Sequence, residues 1–250
     1  MDAKVLNMNS IINDSVNSEK NINKISVKKT KVKEKYVSPL ARSLGEELSN
    51  AISHGVGTLL AIAGTVIMIV FASINHKGPL AITGVSIFGG SLILLYLASC
   101  LYHALIFTRA SKVFQKFDHC MIFLLITGTY APICLSIIGG WVGWTVLGIN
   151  AACCITGIAL NGVSIKKFDR VSQILYIIMG WSIVMFAYKA IKAIPPTGLL
   201  LLFIGGVLYT AGTIFYRKKN VKYFHFVWHL FVILGSIPHF ITVLYFICIK

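Results

Sequence analysis

Three histidines in apolar stretches of the sequence have a spacing that suits metal binding. His225 and His229 lie four residues apart, so that a helix would place both imidazoles on one face, one turn apart. Such a pair can bind one zinc ion through two nitrogens, and His103 from another helix would supply a third. Three protein ligands leave the fourth position of a tetrahedral zinc to water, which is typical of catalytic zinc. The sequence therefore predicts a zinc site formed by His103, His225 and His229.

Two further polar residues lie at the depth predicted for these histidines. Asp118 opens an apolar segment, and its carboxylate could hold and deprotonate a zinc-bound water, which the metal makes acidic. Ser99 precedes His103 by about one helical turn and could donate a hydrogen bond to that water or to a developing oxyanion. We therefore predict Asp118 and Ser99 as catalytic residues.

A histidine in a membrane segment also has a simpler interpretation, as an interface anchor or a hydrogen-bonded packing residue. That is the alternative for each histidine of the predicted zinc site, and it is the preferred interpretation for His76, which lies in a short loop. His239 follows His229 by ten residues, which is about 15 Å along a helix, and is therefore too deep to share its metal. We expect His239 to be a packed polar residue or to line an internal cavity.

The composition excludes a soluble protein. Of the 250 residues, 56% are hydrophobic and only 12% are charged, whereas soluble domains average about 25% charged residues. The mean hydropathy is +0.80. A soluble enzyme, a secreted disulfide scaffold and a disordered regulator are excluded, and a polytopic membrane protein remains. The six cysteines lie in apolar stretches without a C-x-x-C pair, so we expect free thiols that pack as small hydrophobic groups.

Seven apolar segments are each close to the roughly 20 residues that cross a hydrocarbon core. Gly139 and Gly140 separate the third segment from the fourth and predict a tight turn between antiparallel helices. Pro132 and Pro238 lie inside segments and predict kinks. The predicted fold class is therefore all-α, a seven-transmembrane helix bundle whose segments cover 52–74, 80–106, 119–138, 141–163, 171–190, 197–216 and 224–248.

The distribution of cations predicts the orientation of this bundle. The net charge is +15, and nineteen of the 23 Lys and Arg residues fall on one side of the seven segments. Because cytoplasmic loops carry an excess of Lys and Arg, we predict that this side, with the N-terminus, is cytoplasmic and that the C-terminus is extracellular. The cations lie in short runs between apolar segments rather than on a folded basic surface, so no nucleic acid partner is expected.

The N-terminal part of the chain differs from the rest. Residues 1–36 are rich in Asn, Lys and Ser and almost without aromatic residues, which is typical of a disordered basic tail. Ser38-Pro39 then offers an N-cap followed by proline at the first helical position. Leucines recur at four-residue spacing from Leu40 to Leu48, which predicts an amphipathic interfacial helix over 38–50. We therefore divide the chain into a tail, 1–36, and a membrane domain, 37–250.

Several motifs of the sequence resemble those of the hemolysin III family, bacterial relatives of the adiponectin and progestin receptors. The resemblance runs from about Glu46 to Phe246 and covers most of the chain. Its motifs are EELSNAISH over 46–54, Ser99-Cys100-Leu101-Tyr102-His103, Asp118-His119, Gly128-Thr129-Tyr130-Ala131-Pro132, and His225-x-x-x-His229 with His239.

This resemblance implies a seven-helix fold with the N-terminus inside and zinc bound by the three predicted histidines. It also implies that Asp118 and Ser99 lie near the metal-bound water. Glu46, Asn50 and His54 match the family as well. For His54 we expect a helix cap or a hydrogen bond between helices rather than metal ligation.

Three functions are compatible with these features. The first is zinc-dependent hydrolysis of a lipid amide or ester, as the resemblance to distant relatives and a site within one leaflet suggest. The second is a cytolytic pore, as the family name suggests, although no ring of charges marks an aqueous path. The third is a lipid-sensing heptahelical protein with structural zinc. Each predicts a multi-pass protein of the plasma membrane with lipids as partners, and the oligomeric state stays open.

Overall fold

The computed structural model describes residues 43–218 and 220–250, and their regular secondary structure is entirely helical. The predicted tail, 1–36, and the first part of the predicted interfacial helix, 38–42, lie outside the described residues. The α-helices are α1 Leu44–Ile74, α2 Pro79–Ala104, α3 Ser111–Pro132, α4 Gly140–Gly180, α5 Ala187–Ala193, α6 Pro196–Arg217 and α7 Phe224–Val243. Turns of π-helix continue α3 over Ile133–Ile138 and α7 over Leu244–Ile249, and a 3-10 helix, Ser182–Phe186, precedes α5.

Six elements of the described chain are long and apolar enough to cross a membrane. Five of them correspond to predicted segments. The sixth, Gly140–Ala193, is 54 residues long and contains both the fourth and the fifth predicted segment. Its backbone is non-helical at Ser164, with φ −162° and ψ 109°, so that two helices meet at this residue, between the two predicted segments.

The start of α1 differs from the sequence prediction. Ser43 is the N-cap, and it forms a capping box with Glu46, whose carboxylate accepts a hydrogen bond from the Ser43 backbone N–H. Residues 44–50, predicted as part of a separate interfacial helix, are the first turns of α1. The sequence did not indicate this because Glu46 and Glu47 are typical of an interface, whereas the structure buries both against neighbouring helices.

The long helix α1 has one polar face and one apolar face. Glu47, Asn50, His54 and Thr58 recur every three or four residues and are all buried, so they form a stripe on one side of the helix. This stripe lies on the side of α1 that packs against α2 and α7. The opposite side carries exposed apolar residues, as expected for a helix in contact with lipid: Leu48, Ile52, Val56 and Leu59.

The turn between α3 and α4 has the predicted character. Gly139 has φ +60° and Gly140 has φ +56°, a left-handed conformation that favours glycine. The two prolines inside helices affect the helix geometry differently. The helix type changes from α to π directly after Pro132, where proline lacks the N–H of an α-helical hydrogen bond. By contrast, α7 stays α-helical through Pro238 as far as Val243.

The helices enclose a large cavity. The main apolar core joins α1, α2, α3 and α7, while α6 packs on α7 and α4 packs on α3. Between α3, α4, α5, α6 and α7 lies a cavity of about 380 Å³, most of whose lining is apolar. Leu199 and Tyr216, near the two ends of α6, both line it. Seventeen residues of helix separate them, so the cavity extends for about 25 Å along α6.

Candidate metal centre

The structure brings the three predicted zinc ligands together. One ligand atom from each of His103, His225 and His229 can be chosen so that all three lie within 4.8 Å of one another. The ring centroids are 4.7 Å apart for the pair on α7, and 5.0 Å and 5.3 Å from His103 to His229 and His225. His103 and His229 are buried and His225 is half-buried. The trio could therefore hold a metal ion through three imidazole nitrogens.

A carboxylate sets the height of α7 relative to α1. Glu46 caps the start of α1 through one oxygen, and its other oxygen accepts a hydrogen bond of 2.7 Å from the backbone N–H of Tyr223. Tyr223 directly precedes α7 and has a left-handed backbone, φ +60°. Glu46 therefore ties the first turns of two helices to each other. Because His225 lies in the first turn of α7, this contact also fixes the depth of the histidine pair.

A second carboxylate orients His103. Its Nδ1 lies 2.5 Å from Oε2 of Glu47, and both side chains are almost completely buried. An imidazole that donates its Nδ1–H to a carboxylate presents the lone pair of Nε2, which is the usual arrangement of a metal-ligating histidine. The Nε2 atom of His103 is buried and has no hydrogen-bond partner among the described residues. A buried polar atom of this kind requires a partner, and a cation held by the histidine trio would supply it.

The ring of His229 is held by residues of α1. Its Nδ1 lies 3.4 Å from the Ser53 hydroxyl, and its ring stacks on that of His54 at 3.7 Å between centroids and 9° between planes. The expected cap or interhelical hydrogen bond of His54 is thus replaced by a stacking contact. His54 is not part of the converging trio, and its role in the structure is to fix the plane of a neighbouring imidazole.

The two predicted catalytic residues occupy different surroundings. Asp118 lines the large cavity together with His225 and His229, and its Oδ2 lies 3.7 Å from Nδ1 of His119. Ser99 is completely buried in the packing of α2, and its hydroxyl has no hydrogen-bond partner among the described residues. The structure therefore places Asp118 in the same cavity as two of the three imidazoles. It places Ser99 one turn from His103, away from the lining of that cavity.

The polar end of the cavity is the end at which α3 and α7 begin. Asp118, His119, His225 and His229 lie there. His239, ten residues deeper on α7, also lines the cavity, as predicted, and its ring stacks on Tyr209 at 5.5 Å. The remaining wall consists mostly of aliphatic and aromatic side chains. A molecule in this cavity would have a polar group near the histidines and a long apolar part below them.

Sequence reasoning missed the orienting residues on α1. Glu47 was part of a motif but had no predicted role, and Ser53 had none either. The signal for Glu47 was its charge: a carboxylate at the depth of a histidine cluster is too costly to bury without a partner. The sequence could not identify that partner, because His103 follows Glu47 by 56 positions and the contact depends on how α1 packs on α2.

Comparisons with known proteins agree on one family. The sequence model of a family described as haemolysin-III related matches residues 42–240. The chain is 38% identical over 208 residues to a hemolysin-3 homolog of Bacillus subtilis (strain 168), which covers 83% of this chain and 97% of the relative. It is also 38% identical over 202 residues to a hemolysin-3 of Bacillus cereus, covering 81% of this chain and 92% of the relative. No solved structure matches the chain significantly.

The contact between Glu47 and His103 yields a first prediction. Replacing Glu47 by Gln keeps the shape of the side chain but removes the charge that makes His103 a better ligand. We expect the affinity for zinc to fall by about 10- to 100-fold, as measured by competition with a chelating dye in detergent.

The matched control is Glu46→Gln, one residue earlier. Glu46 bonds to backbone N–H groups at the starts of α1 and α7 and not to a histidine of the trio, so we expect this variant to lower the thermal stability and to reduce the zinc affinity clearly less than Glu47→Gln does. Equal affinities in wild type and Glu47→Gln would contradict the orienting role of this carboxylate.

Proposed function

We propose that this chain, which belongs to the haemolysin-III-related family and is a multi-pass membrane protein, is a zinc-dependent hydrolase of a lipid amide or ester. The observation that carries the proposal is the position of the histidine trio. Two of its three imidazoles line the polar end of a long apolar cavity, and the third is oriented by Glu47. A group of histidines that could hold a metal thus lies at one end of an apolar binding space.

The donor set supports zinc and a hydrolytic reaction. Three neutral imidazoles suit zinc, and the buried Nε2 of His103, which has no hydrogen-bond partner among the described residues, is open to such an ion. When bound, zinc would act as a Lewis acid and would activate water for attack on a carbonyl group. Asp118 is the general base of the proposal: its carboxylate holds the attacking water, accepts its proton and passes it to the leaving group. Ser99 lies outside the cavity lining and one turn from His103, so its proposed role is to donate a hydrogen bond to water held beside His103.

The shape of the cavity supports a lipid as the substrate. The cavity is about 25 Å long, and one leaflet of the hydrocarbon core is roughly 15 Å thick. The cavity is therefore long enough for the acyl chain of a membrane lipid. Its wall is mostly apolar away from the histidines, so an acyl chain would bury its surface favourably there. The cleaved amide or ester then lies where the chain meets the headgroup, beside Asp118.

We also propose seven membrane crossings, with the N-terminus in the cytoplasm and the C-terminus outside. The element Gly140–Ala193 has 54 residues, which as one straight helix would measure about 80 Å, against a hydrocarbon core of about 30 Å. Its bend at Ser164 lies beside three cations, Lys166, Lys167 and Arg170, which favour a cytoplasmic loop between two crossings.

Fusions to alkaline phosphatase test this topology, because the enzyme needs disulfides that form only outside the cytoplasm. We expect an active fusion after Lys250 and an inactive one after Val221. If Gly140–Ala193 crossed only once, α6 and α7 would be reversed and both results would invert.

Metal content tests the centre itself. We expect about one zinc per chain in protein purified in detergent without chelator, and almost none in a His225→Ala/His229→Ala variant. The matched control is His76→Ala, because His76 lies in the turn between α1 and α2 and should leave the metal content unchanged. A well-folded wild type without bound metal would refute the metal centre.

The role of Asp118 is tested by Asp118→Asn, which keeps the size of the side chain. We expect zinc to stay bound while hydrolysis of a panel of lipid amides and esters falls by about 100-fold or more, the usual contribution of a general base. Full activity in this variant would rule out the proposed base. If zinc were only structural, in a lipid sensor, wild type itself would hydrolyse none of the lipids.

Membrane lysis is the second candidate function, because the relatives carry the names hemolysin-3 homolog and hemolysin-3. The mostly apolar cavity argues against it, since an aqueous path needs polar lining along its length. Leakage of a dye from vesicles separates the two functions. Lysis by a pore would persist in Asp118→Asn, whereas hydrolysis would stop.

A further inference from the structure

A second, smaller cavity lies beside the polar end of the large one. It has a volume of about 250 Å³ and is lined by Gln115, His119, Ile165, Lys166 and Asp169. Lys166 is exposed, whereas His119 and Asp169 are half-buried. The lining is thus polar and charged, in contrast to that of the large cavity. We call this space the side pocket.

The ring of His119 lies between the two cavities. His119 lines both the side pocket and the large cavity, and its neighbour Asp118 lines the large cavity. A single imidazole therefore forms part of the wall between a polar pocket near an exposed lysine and the space that holds two of the zinc ligands. Movement of this ring would connect the two.

The tyrosine Tyr216 on α6 helps to hold this wall in place. The Nδ1–H of His119 donates to the carbonyl of Gln115 at 2.9 Å, and its Nε2 lies 3.3 Å from the hydroxyl oxygen of Tyr216. The same hydroxyl donates to Oδ1 of Asp169 at 3.0 Å. Tyr216 also lines the large cavity, where its ring lies 6.1 Å from that of His225. One hydroxyl group thus links the wall to the part of α4 that follows Ser164.

Hydrolysis consumes one water per turnover, and a metal ion must also reach its ligands from water. Passage of either across the apolar wall of the large cavity is costly, because polar species lose their hydration there. In a polar pocket with an exposed charged residue, water and metal ions can keep their polar contacts. We propose that the side pocket is the aqueous entrance to the metal centre and that Tyr216 and His119 form its gate. This inference rests on the proposed metal centre and adds a route to it.

The exchange of metal with solvent tests the entrance without any substrate. Protein loaded with zinc in detergent is mixed with excess EDTA, a charged chelator, and the remaining zinc is followed over time. In Tyr216→Phe the ring stays, but the hydrogen bond that the hydroxyl donates to Asp169 and its contact with Nε2 of His119 are lost. We expect zinc loss to be about fivefold faster, the change in an opening equilibrium that corresponds to one ordinary hydrogen bond.

The matched control is Tyr209→Phe. Tyr209 is also on α6 and also lines the large cavity, but its hydroxyl bonds to Ser236, away from the side pocket. We expect its rate of zinc loss to equal that of wild type. Equal rates in wild type and Tyr216→Phe, or equal acceleration in both tyrosine variants, would overturn the entrance. Asp169→Ala, which removes the acceptor of the Tyr216 hydroxyl, should also accelerate the loss.

A readout without metal separates this inference from the proposed function. Thr213, one turn before Tyr216, lines the large cavity, and Thr213→Cys places a thiol there. Its reaction with a small cationic methanethiosulfonate, resolved by mass spectrometry of the peptide, should be faster when Tyr216→Phe is added and unchanged with Tyr209→Phe. If wild type binds no zinc, the metal centre fails and this comparison alone decides the entrance. No acceleration by Tyr216→Phe would overturn it.

Discussion

The contact between Glu47 and His103 is the interaction on which the rest of the structure depends. In a hydrocarbon environment no water is available to hydrogen-bond a carboxylate or an imidazole, so each needs a hydrogen-bond partner within the protein. This requirement holds α1 against α2 at one depth. Glu46, one residue earlier, holds α1 to the start of α7 in the same way. Two adjacent carboxylates thus align the three helices that carry the histidine trio and the residues around it.

The histidine trio was predictable from the sequence because its signal is local. His225 and His229 share a helix face through their spacing alone, and the charge pattern placed His103 at the same depth. The apolar middle parts of the membrane helices were predictable for a similar reason, since apolar length dominates them, whereas α1 begins at Leu44 and α3 at Ser111 rather than at 52 and 119. Glu47, Ser53 and the stacking of His54 were not, because they depend on which face of α1 meets α2 and α7.

The predicted interfacial helix differs from the structure for a reason that is specific to membrane helices. Leucines at four-residue spacing predicted an interfacial helix over 38–50, separate from a membrane helix that starts at 52, and the structure instead has one helix over Leu44–Ile74. The pattern of α1 is apolar on the lipid side and polar on the protein side, which is the reverse of a soluble amphipathic helix. Hydrophobicity counted along the chain cannot detect this inversion. Helices that bury polar groups among themselves are recognised only when their neighbours are known.

The polar stripe of α1 also has a consequence for how the protein is made. During synthesis α1 enters the membrane before α7, which covers part of the face that carries Glu47, Asn50 and His54. Until α7 is in place, these groups face lipid or the protein machinery that inserts membrane helices. The polar face of α1 therefore lacks one of its partners while the helices between α1 and α7 are made, and biogenesis must shelter it during that time.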